Sequence, residues 1–549
     1  QFRFDGTWDQ GADVKIDFGM GYISTEMNQN RYESEAQLGG WGVADVGNIP
    51  EGLLDVTCTA CAFEDHDMSG VAGADSIAVP AGSTTIPLGS VSFRGNAVDL
   101  LNAVAPAYGY TPGDLPSVGA QDNTVKEDIL SLYAMATMDG EIGGFEANLV
   151  VGARYEKTDV ESISIQSIPE QITWLSDNDF TISYGDQTQA LSQDHSYEAF
   201  LPNIDLSVNL SDDLKARVSY SMTLARPAYN QMYTATSIGA PGRPTYLGGV
   251  ASGSRGNAGL DPLESNNFDL SLEYYYGDAS MVSIGYYRKD VDNFVGTQQV
   301  SQGLFGLLDA TSGAPGTVSA EAIAELEARG VEVTERNFFT MTALLTNPEN
   351  FPGGASEFEE GQAFADAVFA SNNVEPQAGD PEMQFEVTQP VNNQSARISG
   401  YEFAWQHFFG DSGFGYQANF TIVDGDIGYD VGASPAIEQF ALEGLSDSAN
   451  LVLIYEKNGL STRVAYNWRD AFLAEVNRSV SSQRNPLFID EYKQLDLNVS
   501  YDFTEDFIMS LDVINLLEEG QRQYGRTQNN TFFVQELDRR FVLSARYSF

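Results

Sequence analysis

Several residue types are scarce in this chain. It holds two cysteines, Cys58 and Cys61, and the remainder carries no thiol. It has three histidines, His66, His195 and His407. Lys and Arg total 28 against 78 Asp and Glu, a formal charge of −50 over 549 residues. A protein that grips nucleic acid by neutralising phosphates needs a basic face, so nucleic acid is excluded as a partner. The same charge argues against docking on an anionic lipid surface. No run of about 18 apolar residues is present, so no helix of this chain spans a membrane. The opening Gln1-Phe2-Arg3-Phe4 lacks the charged and apolar regions of a secretion signal: either a signal was removed or the chain starts inside something longer.

What is present is alternation. Leu495, Leu497, Val499, Tyr501 and Phe503 share one parity, and Gln494, Asp496, Asn498, Ser500 and Asp502 share the other. Residues 13–22, 145–156 and 267–276 repeat the pattern, which is that of strands with one apolar and one polar face. Hydrophobic residues at 42% and aromatics at 11% exclude a disordered acidic tail. An antiparallel sandwich is the competing architecture, but its strands usually run about five or six residues, and these run longer.

The connections decide for a barrel. Tight turns are expected near Asp9–Asp13, Asp139–Gly144, Ser211–Leu214, Gly277–Ser280, Gly410–Gly413, Glu456–Gly459 and Thr504–Asp506. Long loops fall between them, near 31–123, 166–194, 233–264, 301–394, 428–445, 477–487 and 526–531. Short turns at one end and long loops at the other predict an all-β, antiparallel transmembrane barrel of about fifteen strands, with aromatics at the strand ends as interfacial girdles. The last strand alternates Phe541, Leu543, Ala545, Tyr547 and Phe549, and its terminal aromatics Tyr547 and Phe549 resemble an outer-membrane insertion signal.

Dispersed motifs add a family resemblance. They are Leu201-Pro202-Asn203, the run Tyr220 to Pro227, the block Gly256 to Leu270 with its Glu264-Ser265-Asn266, and Tyr286 to Phe294. Arg463 to Arg469 and Val513 to Leu517 follow. In order and spacing the chain resembles the barrel half of TonB-dependent outer-membrane receptors, closest to the Caulobacter-, Xanthomonas- and sphingomonad-type subgroup. Such transporters have 22 strands around a plugged lumen. The resemblance therefore implies that residues 1–549 are a barrel fragment, with a plug and early strands before residue 1. It also implies TonB with its proton-motive-force partners, a small nutrient ligand, outer-membrane lipid and lipopolysaccharide, and extracellular long loops.

Catalytic chemistry is not legible. The sequence holds no G-x-S-x-G elbow, H-E-x-x-H or P-loop, so no enzyme is expected. Gly19-Met20-Gly21 lies inside an alternating strand, and its glycines are read as lumen-facing. His407 shares parity with Tyr401, Phe403 and Trp405 and is expected on the outer wall; His195 is expected where a loop enters a strand. Cys58 and Cys61 are read as a loop-stapling disulfide, ahead of redox or zinc readings that lack a helix N-terminus or further ligands. No cofactor is expected, apart from structural calcium at Asp65 and Asp67, with solvated loop acids as the favoured reading.

Two loop helices are expected, Ser319 to Gly330 with Gly330 as its stop, and Ala355 to Ala370. The long loops should form a lid. Trp41, Trp174, Tyr229, Tyr233, Tyr246 and Phe305 are the candidate ligand contacts, since aromatics stack on sugar rings. Taken singly, packing within the loops is the favoured role of each. The expected function is active uptake of an oligosaccharide. Ferric siderophore uptake is the alternative, and a passive porin or surface-interaction barrel is the reading from other classes.

Overall fold

The computed structural model describes residues 1–11, 14–34, 50, 52–58, 91–111, 117–277, 279–435, 439–480 and 483–549. The main sheet holds seventeen strands. Two of them, Thr236–Gly239 and Ala251–Arg255, are short and belong to a loop. The other fifteen form an antiparallel meander, the number read from the alternation. They are β1 (Phe2–Asp9), β2 (Val14–Ser34), β3 (Ser117–Ile142), β4 (Phe145–Trp174) and β5 (Phe180–Asn209). There follow β6 (Leu214–Ala225), β7 (Leu263–Gly277), β8 (Ser280–Leu308), β9 (Glu382–Phe408) and β10 (Phe414–Gly425). Last come β11 (Ser448–Lys457), β12 (Leu460–Arg469), β13 (Tyr492–Thr504), β14 (Phe507–Ile514) and β15 (Arg540–Tyr547). Among the described residues, β1 pairs only with β2 and β15 only with β14.

Register carries the parity from strand to strand. Phe18, Met20 and Tyr22 of β2 stand opposite Ala134, Leu132 and Leu130 of β3. Leu270 and Leu272 of β7 stand opposite Tyr286 and Ile284 of β8. Most of these large apolar side chains are exposed, as a wall facing lipid requires. Near the short-turn end Tyr276 stacks on His407 with centroids 5.6 Å apart, and Trp405 Nε1 donates to Tyr276 Oη at 2.8 Å. His407 thus stands in an outer-wall aromatic belt. Tyr547 and Phe549 stand there as well, with centroids 6.2 Å apart.

The inward parity is polar and in places tight. A Cβ on Gly19 would lie 2.6 Å from both Phe4 O and Tyr133 Cε1. The missing side chain lets Tyr133 reach across β2 and donate to Asp5 Oδ1 at 2.6 Å. The tight turns follow local chemistry: Asn458 and Gly459 take φ of 55° and 77° between the paired Lys457 and Leu460, the left-handed pair that a two-residue hairpin demands.

The long-loop boundaries are corrected. The stretch 166–194 is strand except for residues 175–179, and β4 and β5 are each 30 residues long. β8 and β9 likewise run to Leu308 and from Glu382, inside the expected loop 301–394. A membrane needs about 9–11 residues of strand. Beyond it neither face meets lipid, so the apolar alternation fades while backbone pairing continues.

Between β8 and β9 the chain folds into a helical lid: α1 (Val318–Ala328), α2 (Glu335–Thr346) and α3 (Gln362–Phe369). α1 ends at Arg329, followed by Gly330 at φ 71°, as expected. α2 was not read from the sequence. Its hydroxyls bond back along the helix, with Thr342 Oγ1 donating to Phe338 O at 2.7 Å. A polar residue is thereby buried at little cost, which hides the apolar stripe. The lid has its own core, with Phe338, Phe339, Leu326 and Val368 packed on Trp174 from the β4–β5 tip.

Further loops are held by Arg526. It donates to the carbonyls of Val431 (2.9 Å), Ala433 (2.6 Å) and Arg484 (3.2 Å), and to Tyr429 Oη at 3.1 Å. One guanidinium thus joins segments from three connections at the long-loop end.

Candidate ligand cavity beneath an inward loop

The segment 226–262, between β6 and β7, folds against the inner wall. Pro227 follows Arg226, and Tyr229–Gln231 form a single 3-10 turn. Met232 is then buried against Val125, Val160 and Ala258. Three inward side chains of β4, each two residues apart, take the loop's backbone. Ser162 Oγ donates to Met232 O at 2.8 Å, Ser164 Oγ accepts from Thr234 N at 3.1 Å, and Gln166 Oε1 accepts from Thr236 N at 2.6 Å. The spacing of two on the strand matches the spacing of two on the loop, so side chains extend the ladder that backbone groups make elsewhere. This Ser-x-Ser-x-Gln run was the available sequence signal for the site, and it was not read.

Under the turn lies a buried polar cluster. Glu156 accepts from Arg154 Nε at 2.5 Å and Arg226 Nη2 at 2.6 Å. Tyr229 Oη donates to Glu127 Oε2 at 2.9 Å. Glu127 is 4% exposed, and among the described residues its Oε1 meets no hydrogen-bond partner. Burial, together with the hydrogen bond to Glu127, pushes the Tyr229 phenol up to about 12. A phenol raised by folding stabilises the fold below its ordinary value of about 10. That contribution is lost between pH 10 and about 12. Phenolate absorbance at the alkaline end of the titration should therefore fall by one tyrosine in Tyr229→Phe; a variant whose late phase matches the wild type contradicts this.

The Gly256 to Leu270 block fastens the loop's far end. Asn257 Nδ2 donates to Pro390 O at 3.1 Å, Asp261 pairs with His195 Nε2 at 2.9 Å, and Asn392 Oδ1 accepts from Asp261 N at 2.8 Å. His195 stands within β5, not at its entry, because the strand starts at Phe180. The loop is also tied to the lid: Arg243 pairs with Glu335 at 2.6 Å, and Thr245 Oγ1 donates to Asp309 Oδ2 at 2.5 Å.

These constraints leave a cavity of about 510 Å³, within the size range of small-molecule sites. Gln29 and Arg31 of β2 and Gln121 of β3 line one side, Gln389 of β9 the other, and Tyr233 and Arg255 of the loop the middle. Gln121 Nε2 donates to Ser237 Oγ at 3.2 Å, and Arg255 Nε to Gln389 Oε1 at 2.9 Å. The lining is amide, hydroxyl and guanidinium, suited to a ligand rich in oxygen.

Of the expected ligand aromatics, Tyr233 lines this cavity and Tyr229 stands in the turn behind it. Trp174 is fully buried in the lid core and presents no face to a ligand. Tyr246 stands 5.8 Å from Phe338 at the lid edge, and Phe305 packs beside Phe385. Trp41, Cys61, Asp65, Asp67 and His66 lie outside the described residues, and with them the Cys58–Cys61 pairing and the calcium site.

The family model for the β-barrel of TonB-dependent receptor-like proteins matches residues 1–516. The chain belongs to the TonB-dependent receptor β-barrel family. Members of this family are outer-membrane transporters and not enzymes. Solved structures with a similar fold include a mutant ferric enterobactin receptor, PfeA, from Pseudomonas aeruginosa, at 13% identity and TM-score 0.42. The siderophore receptor PirA from Acinetobacter baumannii matches at 12% and 0.41, covering 100% of this chain and 70% of that one. PiuA from the same organism matches at 12% and 0.46, over 99% of this chain and 55% of that one. The chain, matched over 100% of its own length, spans 61% of the length of the PfeA mutant. No curated protein matches it.

Proposed function

We propose that this TonB-dependent receptor barrel imports an oligosaccharide, seated in the cavity beneath the inward loop. The observation that carries the reading is the cavity itself: amides, hydroxyls and one aromatic converge there from two separated parts of the wall and from the loop. Amide and guanidinium groups suit vicinal hydroxyls, and an aromatic face suits a sugar ring. The long-loop end faces the medium and the short turns face the periplasm, where TonB delivers the energy. Ligand passes the lid, meets the loop, and is released inward when TonB draws on a plug; the ties at Arg243–Glu335 and Thr245–Asp309 link lid and loop during that passage. The motifs between Leu201 and Leu517 support a reading within the Caulobacter-, Xanthomonas- and sphingomonad-type subgroup.

A ferric siderophore is the second reading, favoured by the two arginines in the same cavity. Deletion of the gene tests the proposal through uptake of labelled oligosaccharides. Loss of uptake of one glycan class is expected. A growth defect confined to iron starvation moves the assignment to siderophores, and unchanged uptake of both overturns it.

A further inference from the structure

A second cavity lies deeper on the same wall. β8 rises from Ser280 at the short turn, and β9 descends to Phe408 at the next, so Phe294 and Gln394 stand nearer the membrane than Thr297 and Gln389. These deeper residues line a cavity of about 540 Å³, closed on its other side by residues 439–443 of the β10–β11 connection. Thr297 lines both this cavity and the one beneath the inward loop, so the two meet at β8 and follow one another down the strand pair. One inserted residue shapes the deeper wall. From Val282 to Asp290 the even positions of β8 share the outward parity, and Phe294 would follow them. The register shifts between Val291 and Phe294, Asn293 takes φ 61°, and Phe294 comes to stand opposite the inward Gln394. Its ring then meets Phe440 with centroids 5.5 Å apart. The facing side is fixed as well. Gln439 N donates to Asn477 Oδ1 at 3.2 Å, Asn477 Nδ2 to Gln439 O at 2.7 Å, and Val476 N to Glu443 Oε1 at 2.7 Å. Ala441 is buried with Leu473 and Val476 in the same clamp.

We infer that the deeper cavity is a second sugar subsite, and that the receptor selects an oligosaccharide long enough to fill both cavities. The inference rests on the upper cavity being a seat of the imported glycan. Phe294 and Phe440 are half-buried, so neither ring is lost in a core and each can stack on a sugar ring. Around them Gln394, Gln439 and Asn477 bring amides and Glu443 a carboxylate, donors and acceptors that suit paired hydroxyls. Apolar rings with a few convergent polar groups are the make-up of a ligand site, and each cavity alone lies within the size range of one. The bulge points the same way. Bulges recur beside binding sites because they re-aim a side chain, and this one turns Phe294 from the outer face to the lumen. A glycan seated in the upper cavity presents its next units to the deeper one at high effective concentration, so the second contact adds affinity without a second encounter. A short chain reaches one cavity and gains nothing from the other. The order of the cavities also follows the route, since the deeper one is nearer the short-turn end.

The test is equilibrium binding to protein purified from outer membranes. The probes are three neutral homologous series, malto-, cello- and xylo-oligosaccharides, each from the single sugar to the octasaccharide, and a ferric tris-catecholate. Within the series that binds, affinity is expected to rise by about tenfold or more at one chain length and then to level off. Phe440→Ala and Gln394→Ala, from the two sides of the deeper cavity, should lower or abolish that step and leave the short chains bound as before. Phe440→Tyr should keep it, and Tyr233→Ala, in the upper cavity, should weaken every length. Unchanged heat-dependent electrophoretic mobility of the variants shows that they fold. Loss of the step in either deep-cavity variant, with short chains unaffected, keeps the assignment. Affinity independent of length, a step indifferent to both substitutions, equal weakening at every length, or binding of the ferric chelate and of no sugar overturns it, and so does failure of every probe to bind. Loss of glycan uptake on gene deletion with length-independent binding sinks this inference and spares the import reading; length-dependent binding without an uptake defect does the reverse.

Discussion

Trp174→Ala is expected to unseat the helical lid while leaving the barrel wall intact. The indole is wholly buried at the tip of the β4–β5 hairpin. It stacks on Phe180 with centroids 6.0 Å apart and meets the edges of Phe338 and Phe339 at 5.1 and 5.0 Å. Its backbone bonds Val374 in both directions, at 3.0 and 2.8 Å. The lid's own strands, β8 and β9, lie elsewhere in the sheet, so Trp174 is where the lid is anchored to a second part of the wall. Removing a buried Trp side chain costs about 3–5 kcal/mol. Hydrogen exchange in α1 and α2 should accelerate by about two to three orders of magnitude, since each 1.4 kcal/mol is tenfold. Exchange in β13 and β14 should not change. Unaltered exchange in the lid would show that the aromatic cluster does not hold it.

Arg226→Ala is expected to release the inward loop. Glu156 is 7% exposed and rests between Arg154 and Arg226. Taking away one cation leaves a buried carboxylate with half of its compensation, a loss of about 3 kcal/mol, the lower end for a broken buried pair. The loop begins at that residue, so cleavage of residues 226–262 by added protease should rise by about two orders of magnitude, and ligand binding should fall with it. The paired replacement Glu156→Gln with Arg226→Met removes both charges and should restore most of the protection. If the double variant is as labile as the single, the ion pair is not the cause.

The wall was legible because lipid imposes a period of two: every strand whose outer face meets hydrocarbon shows it, from Val14–Tyr22 to Phe541–Phe549. The projecting halves of β4 and β5 were not legible, since Ser162, Ser164 and Gln166 face a polar loop and the opposite parity faces water. The helix at 318–328 was legible from its alanines and its glycine stop. Glu335–Thr346 was not, because its buried threonines satisfy their hydroxyls within the helix. The cavity was half legible. Tyr233 was named, but Arg31, Gln121 and Gln389 are spread over some 360 residues of sequence and only the folded sheet brings them together. Trp174 was legible as a loop aromatic whose favoured role is packing, and the longer strands carry it into the lid core.

The central claim is energised import through this barrel. The most direct measurement is accumulation of a labelled oligosaccharide by intact cells expressing the full-length receptor, before and after a protonophore collapses the proton-motive force. The account predicts accumulation that stops on collapse while surface binding persists. Accumulation that continues at the same rate without the gradient would contradict it and identify a passive channel.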